Sequence, residues 1–455
     1  MQTNFTAEQL RQPDIAAANA ELRKCVHCGF CMATCPTYLV SGDELEAPRG
    51  RIYLAKVLLE EGNDAPDPGV LAHLDRCLTC LSCTTTCPSG VGYDRLIAIA
   101  RVRTADANTR PPLKRLARKL LLATATAPAR LRPLARLGRL AAPLALPLLR
   151  GRDQWRPFAA MLEMTRQSPA KRPLFGDYPP LADGPGEGRR AALLTGCAQS
   201  VFGRAISEAT LHVLRMAGFH VVIPKAAGCC GAMEEHLGER ERAKRRAAAN
   251  VRAWKEARAE LVVIDASGCA GTVKEYGALL KDDPALAADA AQLAENAFEL
   301  SELLATLADD LPWRAPKNVM LMWHAPCSLT HHLRIADLPR RLLERAGFQV
   351  LTPAEAHLCC GAGGANAVLE PDVAERLRAR KLGHLQQPGV DAIVSANFGC
   401  IRHLAAEAAL PVLHHAQLLA WAASGPDPFL NPQAPSVPHG AGQRACASGA
   451  CACGS

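Results

Sequence analysis

Two short stretches decide the N-terminal fold: residues 25–36 read CVHCGFCMATCP, and residues 77–88 read CLTCLSCTTTCP. Both follow the spacing Cys-x2-Cys-x2-Cys-x3-Cys-Pro. Four irons bridged by sulfides need four soft thiolate ligands, and short spacings wrap three of them around one cluster. In two-cluster proteins the fourth cysteine of each run ligates the other cluster. We therefore expect two [4Fe–4S] clusters with the ligand sets Cys25, Cys28, Cys31, Cys87 and Cys77, Cys80, Cys83, Cys35.

A pair of zinc sites is the alternative, because Cys-x2-Cys pairs also bind zinc. A zinc site needs only four ligands, however, and gives no reason for two identical runs that end in proline. The stretch between the runs, RGRIYLAKVLLEEG at residues 49–62, has a helical composition. We therefore predict a mostly helical two-cluster ferredoxin-type domain over residues 1–105.

Length and cysteine usage predict a multidomain cytoplasmic protein. A chain of 455 residues is too long for one ordinary core. Most of its 19 cysteines fall in tight clusters with metal-ligand spacing, and the polar start MQTNFTAEQLRQPDIAA has no hydrophobic signal region. The apolar run at residues 140–149 is about half a membrane span and contains two prolines. We expect reduced thiols and no transmembrane helix.

The C-terminal half contains an internal repeat. Four cysteines, Cys197, Cys229, Cys230 and Cys269, recur as Cys327, Cys359, Cys360 and Cys400, with offsets of 130, 130, 130 and 131 residues. Apolar runs such as AALLTGC and DAIVSANFGC precede these cysteines, and helix-like stretches lie between the runs. The alternation predicts βαβ units and parallel sheets in two α/β cysteine-rich lobes, residues 188–312 and 313–424. The cysteines then lie beyond the carboxyl ends of strands, where such sheets bind ligands.

Each lobe resembles the cysteine-rich domains of heterodisulfide reductases, whose pattern ends in Cys-x2-Cys. In this chain Thr272 and His403 stand where the last cysteine of that pattern falls. Three interpretations stay open: a third iron–sulfur centre that draws on the eight repeated cysteines, buried thiols left by duplication, or a catalytic dithiol. Of the histidines near the second copy, His324, His331, His332 and His403, the sequence ranks His403 first because it occupies the missing ligand position.

The positive charge is concentrated in one segment. The whole chain carries +8, and residues 107–152 hold eleven Lys or Arg and no acid, so the remainder carries −3. Leu113, Leu116 and Leu120 share a helical face among these cations. We predict that residues 106–187 connect the domains and dock on a membrane surface or a partner, with a solvated linker as the alternative. Nucleic-acid binding is not expected, because no stacking aromatics accompany the charge.

The order of motifs resembles one family, the iron–sulfur subunit of bacterial glycolate oxidase, over residues 1–424. The strings that carry the resemblance are CVHCGFCMATCPTY, GDELEAPRGRIYL, HLDRCLTCLSCTTTCPSGVGY, AGCCGAMEEHL, ASGCAGTVKEYG and HLCCGAGGANA. The tail at residues 425–455 departs from it. We expect this tail to be disordered despite its cysteines, Cys446, Cys451 and Cys453.

The resemblance implies a glycolate dehydrogenase subunit that carries electrons. Separate flavin-binding subunits, with FAD, would oxidise glycolate to glyoxylate, and this chain would pass the electrons to a membrane acceptor such as a quinone. The resemblance also implies a peripheral position on the inner face of the cell membrane. The alternatives are an iron–sulfur subunit of a lactate or glycerol-3-phosphate dehydrogenase, an enzyme of the heterodisulfide-reductase type, and a membrane-anchoring adaptor.

Overall fold

The computed structural model describes residues 1–62 and 66–430. Its N-terminal region is helical, as predicted. The helices are α1 (Pro13–Lys24), α2 (Pro36–Ser41), α3 (Pro48–Glu61), α4 (Pro68–Asp75), α5 (Ser82–Thr86) and α6 (Tyr93–Arg103). Four of them begin with proline, whose fixed φ suits the first helical position and whose missing N–H is not needed there. Helices α1, α3 and α6 bury Leu22, Ile52 and Leu96 in one core together with several of the ferredoxin-type cysteines.

The connector is folded onto the rest of the protein. It contains α7 (Pro112–Thr124), α8 (Pro128–Arg150) and α9 (Arg156–Met164). Ala135 of α8 packs on Val201, Phe202 and Phe398, which belong to both halves of the C-terminal region. Short 3₁₀ helices in the described parts of the chain are Gln9–Arg11, Phe30–Met32, Glu44–Glu46, Asp153–Trp155 and Ala308–Asp310.

The first lobe is built on a five-stranded sheet. Its strands are β1 (Gly176–Tyr178), β2 (Arg190–Leu194), β3 (His220–Ile223), β4 (Leu261–Ile264) and β5 (Ala297–Glu299). Their order is β1-β3-β2-β4-β5, and all neighbours are parallel except β1 and β3. Its helices are α10 (Gln199–Phe202), α11 (Arg204–Met216), α12 (Ala232–His236), α13 (Arg240–Ala257), α14 (Ser267–Lys274), α15 (Tyr276–Leu279), α16 (Ala287–Glu295) and α17 (Leu300–Thr306). Strand β1 comes from the residues that the sequence assigns to the connector.

The second lobe repeats the arrangement with four parallel strands. They are β6 (Met320–Trp323), β7 (Gln349–Leu351), β8 (Ala392–Ser395) and β9 (Val412–His414), in the order β7-β6-β8-β9. Its helices are α18 (Asp337–Arg345), α19 (Asn366–Leu369), α20 (Pro371–Leu385), α21 (Phe398–Ala405) and α22 (His415–Ala422), with a π-helix at Ser328–Leu333. The predicted fold class, a helical ferredoxin-type region followed by two α/β lobes, is confirmed.

The two lobes share one hydrophobic core. Leu193 and Val263 of the first sheet pack in the same buried cluster as Leu321 and Val394 of the second. Backbone contacts also cross between the lobes, since the Ser267 amide donates to the Ala396 carbonyl at 3.2 Å. The two cysteine groups are therefore held at fixed positions relative to each other.

Two expectations concern the membrane and the tail. Within residues 1–62 and 66–430, no helix is long and apolar enough to cross a bilayer. The cysteines of the tail, Cys446, Cys451 and Cys453, lie outside the described residues.

Candidate functional site

The first ferredoxin-type group lines a surface cavity. The four cysteines that we expect to bind one cluster all face it, and Cys83 of the other group lines its wall. They are Cys25, Cys28, Cys31 and Cys87. All are free thiols, and Cys28 is exposed. Burial raises the pKa of Cys31 to about 11. Thiols gathered around one cavity fit a cluster with four thiolate ligands, including the crossed fourth ligand.

The backbone between these cysteines is wound in the left-handed region. His27 (φ 55°) and Gly29 (φ 84°) lie inside the first run, and Thr79 (φ 52°) and Leu81 (φ 61°) occupy the matching positions of the second. A non-glycine residue in this region costs about 1–2 kcal/mol. Such strain persists at functional sites where the surroundings impose it. Both runs therefore adopt the same tight loop around their cysteines despite this cost in backbone free energy.

The second ferredoxin-type group lies in the interior. Cys35, Cys77 and Cys83 are buried. Burial raises the pKa of Cys80 well above its usual value, and its neighbours Cys327, Cys83 and Cys35 add to the effect. Burial also raises the pKa of Cys83, with contributions from Cys77 and Cys35. Cys83 thus lies close enough to the other three cysteines of this group to interact with them electrostatically, as expected of ligands to one cluster.

Two buried arginines surround the second group. The Arg51 side chain is 1% exposed, and it donates to Thr37 Oγ1 at 2.9 Å and to Glu46 Oε2 at 2.5 Å. Arg101 donates to the Cys77 carbonyl at 2.6 Å. Burial alone would raise the pKa of the Cys77 thiol, but Arg51 and Arg101 outweigh it, and the pKa is lowered. Positive charge at this depth favours thiolates and an anionic cluster.

The second lobe meets the second ferredoxin-type group. Cys80 and Leu78 pack in one small cluster with Cys327 and Cys359 of that lobe. A hydrogen bond of 2.8 Å between Thr85 Oγ1 and His331 Nδ1 joins the same two regions. Among the described residues, this cluster contains no cysteine of the first lobe.

A buried ion network fixes this junction. Asp75, just before the second run, pairs with Arg110 at 2.8 Å and with Arg118 at 3.9 Å. Burial raises the pKa of Asp75, but the hydrogen bond from Arg110 and the cations of Lys114 and Arg118 outweigh it, so the pKa is lowered. Lys114 also pairs with Glu370 of the second lobe. Some cations of the basic segment therefore form ion pairs within the protein and are not available to a membrane or a partner.

The first lobe arranges its cysteines in a continuous row of thiol contacts. The row runs through Cys197, Cys229, Cys230 and Cys269. The hydrogen bond with Cys229 and burial raise the pKa of Cys197 well above its usual value. The Cys229 thiol donates to Glu234 Oε2 at 3.7 Å, and Glu234 is fully buried. A carboxylate therefore accepts from the second thiol of this row.

The second lobe repeats the row with different neighbours. It runs through Cys327, Cys359, Cys360 and Cys400, with 4.0 Å between the first two sulfurs. The hydrogen bond with Cys359 and burial raise the pKa of Cys327. Lys381, fully buried, donates to the carbonyls of Glu355 and Ala356 at 2.8 and 3.2 Å. Burial lowers the pKa of this lysine, and the adjacent thiols oppose that shift.

The structure reorders the histidines that the sequence singles out. His403 bonds through Nε2 to the Ala374 carbonyl at 3.1 Å. In contrast, a ring nitrogen of His324 and the sulfurs of Cys360 and Cys400 all lie within 4.8 Å of one another. The ranking of His403 above His324 therefore does not match the geometry. His331 contacts the ferredoxin-type region, and His332 bonds to Glu275 Oε1 at 2.8 Å.

Sequence reasoning missed the charged residues around the sulfurs. Arg51, Arg101, Glu234 and Lys381 received no role, although each is buried or contacts a cysteine group. Alignment of the two repeats could have drawn attention to Lys381 and Glu234, because each is charged where the other copy has an uncharged residue. Counted from the last cysteine of each copy, Lys381 occupies the position of Asn250, and counted from the cysteine pair, Glu234 occupies that of Gly364.

Comparisons with known families agree with this geometry. A family model described as "4Fe-4S dicluster domain" matches residues 21–91. A second, described as "Cysteine-rich domain", matches residues 191–274 and again residues 321–405. The fold and its cysteine groups therefore define an iron–sulfur protein with a duplicated cysteine-rich region.

Relatives narrow this class. The chain is 40% identical to the glycolate oxidase iron-sulfur subunit of Escherichia coli (strain K12), over 92% of this chain and 98% of that protein. It is 31% identical to the "Probable glycolate oxidase iron-sulfur subunit" of Bacillus subtilis (strain 168), over 84% and 88%. Lactate utilization protein A of Geobacillus kaustophilus is 29% identical over 50% of this chain and 98% of its own length. The chain belongs to the family of glycolate oxidase iron–sulfur subunits, which carry electrons within an oxidoreductase complex.

Proposed function

We propose that this chain is the electron-transfer subunit of a glycolate-oxidising complex and binds two [4Fe–4S] clusters through its eight ferredoxin-type cysteines. Oxidation of glycolate to glyoxylate releases two electrons and two protons to a flavin on partner subunits. The reduced flavin passes the electrons one at a time to the clusters. A membrane quinone then takes up both electrons with two protons.

The observation that carries this proposal is the contrast in depth between the two cysteine groups. One group lines a surface cavity, and its Cys28 is exposed. In the other group Cys35, Cys77 and Cys83 are buried, and Cys80 packs in one cluster with Cys327 of the second lobe. A relay needs one centre accessible to a donor and a second centre deeper along the route. Cys83 of the second group lines the cavity of the first group. This proximity supports electron transfer between the two clusters.

The flavin subunits would dock over the first group. Val26 and Phe30 flank its cysteines and are 68% and 62% exposed. Two large apolar side chains in this position are suited to a partner that excludes water from the cluster. Electrons would therefore enter at the surface group and move towards the second lobe.

Helix α8 would hold the subunit at the membrane. Leu137, Leu140, Leu144 and Leu148 are 63–80% exposed and recur every three or four residues, so they form one stripe. The helix also carries five arginines and no acidic residue. An amphipathic helix of this composition binds anionic bilayer surfaces, where each cation contributes about 1 kcal/mol. The opposite face packs on the lobes through Ala135.

Cluster reduction by glycolate tests the electron-transfer proposal. The chain is co-expressed with its flavoprotein partners, purified without oxygen, and followed by electron paramagnetic resonance as glycolate is added. We expect reduced-cluster signals with glycolate and none with lactate or glycerol 3-phosphate. Signals that appear with dithionite but never with glycolate would contradict glycolate oxidation and leave the clusters in place.

Lactate is the competing substrate, because the lactate utilization proteins match half of this chain. The same titration decides between the two, since each substrate is added separately to the same preparation. Reduction by lactate alone would assign the chain to a lactate-oxidising complex.

Vesicle binding tests the membrane proposal. The triple variant Leu140→Ser, Leu144→Ser, Leu148→Ser should lose most of the complex from sedimented vesicles that contain anionic lipid. The matched control Leu10→Ser, Leu181→Ser, Leu351→Ser removes three leucines that are 38–49% exposed outside α8, and it should sediment like the parent. Equal sedimentation of both variants would contradict docking through α8.

A further inference from the structure

The second lobe contains a histidine beside its cysteine row that the first lobe lacks. His324 directly follows strand β6 and lies three residues before Cys327. The matching residue of the first lobe, three before Cys197, is Leu194. The repeat therefore places an imidazole in one lobe where the other has a hydrocarbon side chain.

The imidazole is enclosed and aimed at sulfur. His324 is 1% exposed, and neither ring nitrogen has a hydrogen-bond partner among the described residues. Buried polar atoms are almost always satisfied, because each orphan costs about 1–3 kcal/mol. A ring nitrogen lies within 4.8 Å of the sulfurs of Cys360 and Cys400, which is close enough for all three atoms to bind one metal centre. A metal would supply the missing partner.

The charged residues near the two cysteine rows also differ, and the difference again favours a metal centre in the second lobe. Lys381 is fully buried and donates to the carbonyls of Glu355 and Ala356, in the loop that leads to Cys359 and Cys360. A buried cation offsets the negative charge of a thiolate-ligated cluster. In the first lobe the buried acid Glu234 accepts from Cys229 instead. Arg246 pairs with Glu234 at 3.1 Å, so the first row has a compensated ion pair where the second row has a buried lysine.

We propose that the second lobe holds an iron–sulfur centre to which His324 contributes a nitrogen ligand beside Cys360 and Cys400. His324 supplies the ligand that the missing last cysteine of the Cys-x2-Cys pattern would have supplied. His403, which occupies the position of that cysteine in the sequence, is not a ligand. Cys327 and Cys359 complete the donor set. The inference rests on the proposed function only in that Cys80, which packs in one cluster with Cys327, would connect this centre to the relay.

Metal analysis with histidine variants tests the site. The full chain is purified without oxygen together with its partners, and iron, zinc and acid-labile sulfide are measured per chain. The parent should contain iron and sulfide beyond the two ferredoxin-type clusters. His324→Gln should lose this excess while keeping the two clusters. The control His403→Gln should keep it, because His403 already bonds to the Ala374 carbonyl.

A second variant protects the test against misfolding. His324→Cys offers a thiolate in place of the imidazole, so the centre should be retained. Pulsed electron paramagnetic resonance of the dithionite-reduced parent should reveal nitrogen coupling at the additional signal, and this coupling should vanish in His324→Cys. The reduction potential of the signal should fall, because histidine ligands raise iron–sulfur potentials relative to cysteine.

Three results would overturn the inference. They are a parent with no iron beyond two clusters, a parent with zinc in the lobe, or a His324→Gln variant with unchanged iron. Glycolate is added to the same preparations. Failure of glycolate to reduce any cluster would contradict the proposed function alone, since the metal content and the dithionite-reduced spectra do not depend on the substrate.

Discussion

Counted from the last cysteine of each lobe, Asn250 and Lys381 occupy the same position on matching helices. Asn250 donates to the Cys229 carbonyl at 2.9 Å, and Lys381 donates to the carbonyls of Glu355 and Ala356. Each side chain thus ties a helix to the loop that carries the cysteine pair. The polar anchor is preserved in the repeat, but only the second lobe makes it a cation.

The same divergence occurs at the ends of the last strands. Glu299 ends β5 and caps α17, and His414 ends β9 and caps α22. Both are fully buried and both close a capping box. The duplicated backbone therefore tolerates groups of opposite character at one site. What the lobes share is geometry, and what separates them is charge.

The largest expected effect is an opposite pH response of the two caps. Burial raises the pKa of Glu299 to about 8 and lowers the pKa of His414 to about 4. The Glu299 contribution to stability is full below its unfolded pKa and is lost as the pH rises towards about 8. The His414 contribution is present above about pH 6.5 and is lost as the pH falls towards about 4.

Two conservative variants separate these responses in thermal unfolding of the full chain. Glu299→Gln should gain stability relative to the parent as the pH rises from about 5 to about 8, by on the order of a few kcal/mol, since one pKa unit corresponds to about 1.4 kcal/mol. His414→Asn should gain relative to the parent as the pH falls from about 6.5 to about 5. Parallel curves for parent and variants would contradict the contrast.

A smaller difference is expected at the glycines after the cysteine pairs. Gly231 and Gly361 have φ of 92° and 95°, so alanine costs about 1–2 kcal/mol at either position. A Cβ on Gly361 would lie 2.7 Å from the Ala374 carbonyl oxygen, whereas a Cβ on Gly231 would lie 3.3 Å from that of Ala243. Overpacking should therefore add about 1–3 kcal/mol to Gly361→Ala alone. Chemical denaturation of the two variants measures the difference, and equal losses would contradict it.

The smallest expected effects concern two adjacent histidines. His331→Ala removes the bond to Thr85, worth about 1 kcal/mol, and His332→Ala removes an ion pair with Glu275, worth about 0–1 kcal/mol. Hydrogen exchange should rise in α5 for the first variant and in α14 for the second. The bond to Glu275 raises the pKa of His332, so its contribution should fade as the pH rises through that pKa. Identical exchange patterns would show that the two contacts do not act separately.

Much of the fold follows from local sequence. The apolar runs before Cys197, Cys269, Cys327 and Cys400 form the predicted parallel strands, because a continuous apolar run between turn signals suits a strand buried on both faces. The four cysteines expected at the first cluster line one cavity. The crossed ligand sets stay a prediction that the geometry supports.

The use of the basic segment could not be predicted in the same way. Charge and periodicity describe a helix face but do not identify what covers it. Lys114 and Arg118 face Asp75, so two of its cations stabilise the domain junction. In α8 the exposed stripe at Leu140, Leu144 and Leu148 agrees with a docking surface. Which part of the basic segment is buried and which is exposed depends on residues that are distant in sequence, such as Asp75.

By itself, the sequence determined which atoms can bind metal: the ferredoxin-type spacings, the duplicated cysteines and the strands that precede them are all local patterns. Only the tertiary structure decided that Cys80 meets the second lobe, and that His324 rather than His403 approaches Cys360 and Cys400. The physical reason is that spacing along the chain fixes ligands within one turn or one loop. Contacts between strand ends depend instead on how sheets and helices pack.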